Sequence, residues 1–85
     1  MIKFDKFILS NGLRVLVHED TSTPMAVVNV LYDVGARDED PQKTGFAHFF
    51  EHLMFGGSKN IPVYDDPLQV AGGENNAYTT NDLTN

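Results

Sequence analysis

The segment 45–55 restricts the fold of this chain more than any other feature of its sequence. An α-helix advances about 100° per residue, so residues three and four apart share a face. On such a helix one side is apolar and carries Phe46, Phe50 and Leu53. The other side carries two imidazoles and a carboxylate, from His48, Glu51 and His52. The pattern predicts a helix with one face for a core, to which we assign Phe46 and Phe50, and a second face bearing ionisable groups.

The ionisable face has the spacing of a metal site. His48 and His52 are four residues apart and therefore neighbours on a helix. One nitrogen from each ring can bind a common Zn²⁺ at about 2.0–2.1 Å. Glu51 projects from the same face and can act as the general base that takes a proton from a metal-activated water. A surface histidine pair, with Glu51 in an ordinary helix salt bridge, is the alternative interpretation of the spacing alone.

The remaining segments predict an α+β fold. Residues 4–18 alternate around Ser10-Asn11-Gly12, which is typical of a hairpin with one buried face. Residues 25–34 are rich in β-branched side chains and predict a long central strand, and 74–80 predict a further strand. We expect Thr44 to cap the main helix, Gly56-Gly57-Ser58 to end it, and a short helix at 67–70. The expected architecture is a mostly antiparallel sheet with helices packed on one side.

Composition excludes several functional classes. Twelve acidic and six basic residues give a net charge of −6, which argues against a nucleic-acid partner. The absence of cysteine excludes a disulfide scaffold and a Cys-type zinc finger, so a metal site must use histidine and carboxylate. The first residues lack the pattern of a signal peptide, and no apolar run reaches membrane-spanning length. We therefore expect a cytoplasmic protein without a membrane partner.

The motif and its surroundings resemble one peptidase family. H-x-x-E-H is the inverzincin signature. The stretch from Gly45 to Ser58 is similar to the active-site helix of the M16 metallopeptidases, which include insulin-degrading enzyme, pitrilysin and mitochondrial processing peptidase. Three further stretches resemble that family in the same order: 10–15, 34–39, and 73–84 with its Asn76-Ala77-Tyr78-Thr79. The resemblance covers nearly the whole chain.

The resemblance implies a zinc-dependent endopeptidase that hydrolyses peptides or unfolded segments. His48 and His52 would be zinc ligands, Glu51 the general base, and a Glu beyond Asn85 the third ligand. Asn76 and Ala77 would lie on the edge strand that pairs with an extended peptide substrate, and Phe55 would lie beside the site. As an alternative role for Asn76, its side chain caps a turn after Gly72-Gly73.

The resemblance also implies a partial domain. Residues 1–85 would be the N-terminal part of a single M16 domain of the LuxS/MPP-like type, completed by a second M16 domain or subunit. We expect the isolated piece to bind zinc weakly, to cleave nothing and to self-associate through uncovered strand edges. A non-catalytic M16-like binding subunit is the alternative function, and a simple metal-binding or scaffold protein is a third.

Two other groups of polar residues receive structural interpretations. His18 ends the second predicted strand and is expected to be an exposed histidine without a metal. Asp38, Glu39 and Asp40 lack the spacing of a calcium-binding loop and are expected to form a solvated acidic loop.

Overall fold

The computed structural model describes all residues 1–85, and its elements are compatible with the α+β class. Two strands come first, β1 at Asp5–Ile8 and β2 at Arg14–Val17. A short 3-10 turn at Ala36–Asp38 leads to helix α1 at Phe46–Met54, and helix α2 follows at Asp65–Val70. Neither helix combines the length and the apolar character that crossing a membrane requires.

The N-terminal hairpin is confirmed. Strands β1 and β2 pair antiparallel, from Asp5 opposite Val17 to Ile8 opposite Arg14. Gly12 has φ of +89°, a conformation that glycine adopts without steric cost, and its N–H donates to the carbonyl of Leu9 at 2.9 Å. The expected buried face of the hairpin is wrong, because neither helix contacts it and only Val15 among residues 4–18 is half-buried.

The two further predicted strands are not formed. Residues 25–34 contain only an isolated bridge from Tyr32 to Thr84, and residues 74–80 contain only one from Thr79 to Thr84. A strand exists through hydrogen bonds to a neighbour, and β propensity alone does not supply that neighbour. No backbone hydrogen bond joins residues 25–31 to another segment, so their Val-rich sequence stays irregular despite its composition.

A clasp of backbone hydrogen bonds joins residues 32–37 to residues 80–84. Tyr32 and Thr84 exchange both backbone hydrogen bonds, at 2.8 and 3.0 Å. Further along, the N–H of Ala36 donates to the Thr80 carbonyl at 3.1 Å. The Thr84 hydroxyl closes the clasp by donating to the carbonyl of Val34 at 3.0 Å. These contacts fix the C-terminal residues against the turn that precedes α1.

The predicted packing of helices on a sheet is also wrong. Among the helices and strands, α1 contacts only the 3-10 turn, and neither helix touches the hairpin. No apolar side chain is buried, and the expected core residues Phe46 and Phe50 stay 45% and 56% exposed. The buried residues are instead Gly35, Glu51 and Thr84. Burial in this chain is concentrated where the clasp meets α1.

Candidate metal centre

The helix that carries the candidate site begins at a glycine and is capped by a distant carboxylate. Gly45 occupies the N-cap with φ of +91°, in the left-handed region. Both carboxylate oxygens of Glu39 accept backbone hydrogen bonds there, one from Gly45 and one from Ala47 at 3.2 Å. The first N–H groups of a helix have no hydrogen-bond acceptor within the helix. Glu39 supplies an acceptor for two such groups at the start of α1. The prediction of Thr44 as N-cap is therefore wrong, because Gly45 occupies that position and Glu39 provides the acceptors.

The acidic loop before α1 is therefore not simply solvated, which corrects a second expectation. Glu39 is half-buried under the helix start. Asp38 accepts a hydrogen bond from the N–H of Gly35 at 3.0 Å, which closes the 3-10 turn. Asp40 accepts one from the N–H of Gln42 at 2.9 Å. Each carboxylate satisfies a backbone donor and thereby shapes the loop that precedes the metal-site helix.

Helix α1 brings the two predicted metal-binding histidines together. The Nε2 atoms of His48 and His52 lie 2.7 Å apart, and the ring centroids are separated by 4.5 Å. Both residues are exposed, so an ion can reach them from solvent. In neutral imidazole one nitrogen donates and the other accepts, so this contact pairs an N–H with a lone pair.

The donor set fits a zinc ion. Tetrahedral zinc with bonds of about 2.0–2.1 Å separates two nitrogen ligands by roughly 3.3 Å. The observed separation of the Nε2 atoms is 2.7 Å, which is shorter by about 0.6 Å, and both rings are exposed. One candidate ligand atom from each of His48, Glu51 and His52 lies within 4.8 Å of the others. Two imidazoles and a nearby carboxylate are the chemistry that catalytic zinc sites use.

Glu51 lies beside the imidazoles but in a different environment. The residue is 7% exposed, whereas the His48 side chain is 66% exposed. Its Oε2 atom lies 3.9 Å from Nε2 of His48 and accepts a hydrogen bond from the hydroxyl of Thr79 at 3.4 Å. A buried carboxylate beside two exposed imidazoles favours the interpretation of Glu51 as a proton acceptor over that of a surface salt bridge.

An open cleft of about 340 Å³ lies beside His48. It is lined by Ala36, Glu39, Thr44, Gly45, His48, Thr79, Thr80 and Asn81. Its lining residues come from the 3-10 turn, the start of α1 and the segment 79–81, which meet beside the candidate metal-binding face. Of the three residues of the candidate metal centre, His48 alone lines the cleft.

The predicted substrate-binding residues do not line this cleft. Phe55 packs edge-on against Tyr64, with ring centroids 5.7 Å apart. Asn76 accepts a hydrogen bond from the N–H of Ala77 at 2.9 Å, a contact within its own loop. Their roles toward a substrate stay predictions. His18 is exposed, as expected, and its Nδ1 lies 2.6 Å from the carbonyl oxygen of Lys3.

Sequence reasoning missed the positions of Glu39 and Thr79 in the site. Glu39 lies six residues before the N-cap Gly45, and because Thr44 offered an ordinary cap residue, the local sequence gave no signal for a more distant carboxylate. Thr79 lies 28 residues from Glu51, and nothing in the local sequence reports that contact.

The helix, its paired histidines and the buried glutamate define a candidate metal centre of the H-x-x-E-H class. Residues 14–85 match the family model described as insulinase, peptidase family M16, and the chain belongs to this family. The family has peptidase function, which the names of similar proteins support.

Three curated relatives illustrate the range of the family. The chain is 40% identical to "Zinc protease PqqE" of Helicobacter pylori over 96% of its own residues. It is 37% identical to a probable mitochondrial-processing peptidase subunit beta of Arabidopsis thaliana over 89%, and 40% identical to human cytochrome b-c1 complex subunit 1 over 91%. The matches span 19%, 15% and 16% of the respective relatives, so the chain corresponds to a small part of each.

Proposed function

We propose that the protein containing this chain is a zinc-dependent endopeptidase acting on peptides or unfolded segments. The single observation that carries the proposal is the arrangement on α1. Two Nε2 atoms converge at 2.7 Å, and a buried carboxylate from the same helical turn lies 3.9 Å from one of them. The name of the Helicobacter pylori relative supports zinc as the metal.

His48 and His52 would hold the metal through their Nε2 atoms, because these are the atoms that α1 brings together. When bound, zinc supplies a Lewis acid that polarises a carbonyl and makes water more acidic. The family resemblance suggests a Glu beyond Asn85 as the third protein ligand. Two ligands on one rigid helix keep the mutual geometry that a catalytic site requires.

Glu51 would move the proton of the reaction. Its Oε2 atom takes a proton from the attacking water as the water oxygen bonds to the scissile carbonyl carbon. The carbon–nitrogen bond then breaks, and Glu51 returns the proton to the departing amine nitrogen. Burial of this carboxylate at 7% exposure keeps competing bulk water away from it.

An extended peptide is the substrate class that we propose, with its backbone lying along residues 74–77. Residues 74–77 have irregular backbone without a strand partner, so their backbone groups are free of ladder hydrogen bonds. A peptide that pairs with this backbone would be recognised through its main chain, which permits varied sequences. Asn76 and Ala77 would then contact the substrate.

A non-catalytic subunit is the competing function, since one relative is named as a subunit of the cytochrome b-c1 complex. Such a protein has no need for a metal-binding face. The convergence of His48, Glu51 and His52 within 4.8 Å therefore favours catalysis.

The test is Glu51→Gln in the full-length protein. The amide keeps the shape of the side chain but cannot accept the proton. We expect zinc content to stay at the wild-type level and peptide hydrolysis to fall by about 10²–10⁴-fold, the contribution typical of a general base. Glu19→Gln, at an exposed carboxylate outside the site, is the matched control and should keep full activity. Retained hydrolysis in Glu51→Gln would defeat the assignment.

A further inference from the structure

The buried carboxylate of Glu51 receives one hydrogen bond from the protein. Its donor is the hydroxyl of Thr79, 3.4 Å from Oε2, and Thr79 is half-buried. No Lys or Arg forms an ion pair with Glu51. A buried carboxylate is costly without partners, so a single donor has a large influence on where its oxygens lie. Such contacts are often long in the resting state of an enzyme and shorten in the reacting complex.

The clasp holds Thr79 in place through the hydrogen bonds of the two residues that follow it in sequence, Thr80 and Asn81. The carbonyl of Thr80 accepts the N–H of Ala36 at 3.1 Å, and the carbonyl of Asn81 accepts the N–H of Arg37 at 2.8 Å. The guanidinium of Arg37 also donates to Asp82 at 3.1 Å. Hydrogen bonds to Asp33 and then Asp82 raise the pKa of Arg37 above its ordinary value.

Close approach at Gly35 sets the position of the clasp. Gly35 is buried, and a Cβ atom there would collide with the backbone oxygen of Thr80 and lie 2.6 Å from that of Asn81. Both obstacles are backbone atoms, which cannot move aside as a flexible side chain does. The absence of a side chain at Gly35 therefore allows the backbone of Thr80 and Asn81 to lie close to the start of the 3-10 turn.

We propose that Thr79 is a positioning residue that orients the carboxylate of Glu51, and that the contact of Gly35 with Thr80 places Thr79 for this role. The inference rests on the proposed function, in which Glu51 moves the proton. Thr79 acts through Glu51 and need not touch the substrate. The hydroxyl, rather than the size of the side chain, is the part of Thr79 that matters.

The first experiment compares Thr79→Val with Thr79→Ser in the full-length protein, using a quenched fluorogenic peptide. Valine keeps the volume and loses the donor, whereas serine keeps the donor. Loss of such a supporting contact typically lowers activity about 10–100-fold. We expect that loss in kcat for Thr79→Val, with KM and zinc content unchanged and with Thr79→Ser close to wild type. Equal activity of Thr79→Val and wild type would overturn the proposal, as would equal losses in both variants.

A second measurement does not depend on activity. In the zinc-free protein, the carboxyl carbon of Glu51 reports its hydrogen bond through its ¹³C chemical shift. Thr79→Val should move this resonance, and Thr79→Ser should leave it near the wild-type position. Gly35→Ala should move it in the same direction as Thr79→Val, while Gly73→Ala, where a Cβ meets only ordinary contacts of 3.4 Å or more, should not. An unchanged resonance in Thr79→Val would overturn the proposal.

The two proposals fail in different ways. A wild-type protein that binds zinc but never cleaves the peptide would defeat the proposed peptidase function. The ¹³C measurement would still decide whether Thr79 orients Glu51. An active wild type with full kcat in Thr79→Val would defeat only the role of Thr79.

Discussion

The carboxylate of Glu39 accepts a hydrogen bond across 3.2 Å from the backbone N–H of Ala47, eight residues later, and so anchors the first turn of α1. The substitution Glu39→Ala removes both carboxylate oxygens that accept hydrogen bonds from the start of α1. Loss of a helix cap costs about 0.5–2 kcal/mol. We expect the free energy of unfolding, measured by urea titration with circular dichroism, to fall within that range.

The control for Glu39 is Glu19→Ala, which removes an exposed carboxylate that forms no hydrogen bond. It should leave the urea midpoint unchanged. Equal midpoints for Glu39→Ala and Glu19→Ala would show that the cap does not stabilise α1.

Gly45 begins α1 with φ of +91°, where an L residue is strained. Gly45→Ala should destabilise the protein by about 1–2 kcal/mol, the cost of a left-handed conformation for a residue with a Cβ. The strain is of backbone origin, because nothing lies within 4 Å of the added Cβ. Urea unfolding of Gly45→Ala beside Gly73→Ala measures it, since Gly73 has no positive φ. Destabilisation no greater than that of Gly73→Ala would contradict the expectation.

The third prediction concerns the metal. His48→Ala and His52→Ala each remove one of two converging nitrogens, so each should abolish stoichiometric zinc binding and hydrolysis in the full-length protein. Atomic absorption after dialysis measures the zinc. His18→Ala is the matched control, because His18 lies on the hairpin side of the chain and contacts Lys3. Full zinc occupancy in either site variant would exclude that histidine as a ligand.

Asp20 provides a pH-dependent prediction. Hydrogen bonds from Ser22, first from its hydroxyl and then from its backbone N–H, lower the pKa of Asp20. Because the folded-state pKa is lowered, the stability that Asp20 contributes is present above its unfolded pKa of about 3.9. That contribution is lost as pH falls through the lowered folded pKa. A ¹³C NMR titration should give a midpoint below about 3.9.

Ser22→Ala tests the cause of this shift. It removes the hydroxyl but keeps the backbone N–H, which lies 2.9 Å from Oδ1 of Asp20. The midpoint should rise part of the way toward the ordinary value. If the midpoint does not change, the backbone N–H of Ser22 alone lowers the pKa of Asp20.

Local patterns predicted the elements whose hydrogen bonds are local. Asn11-Gly12 indicated the hairpin turn, and the spacing of His48 and His52 indicated both the helix and the shared face of its imidazoles. In each case the relevant partners lie within a few residues, so periodicity and turn chemistry suffice. The paired histidines follow directly from helical geometry once α1 forms.

Partners distant in sequence were beyond the reach of those patterns. The Val-rich segment 25–34 has high β propensity, yet it lacks a neighbouring strand and stays irregular apart from Tyr32. Thr79 contacts Glu51 across 28 residues of sequence, next to the point where Thr80 and Asn81 approach Gly35 closely. Short-range hydrogen bonds and helical periodicity depend on residues that are close together in sequence. They determined the hairpin and the candidate metal-binding face. Burial of Glu51 and the donor that orients it depend on which distant segments meet, which only the tertiary structure decided.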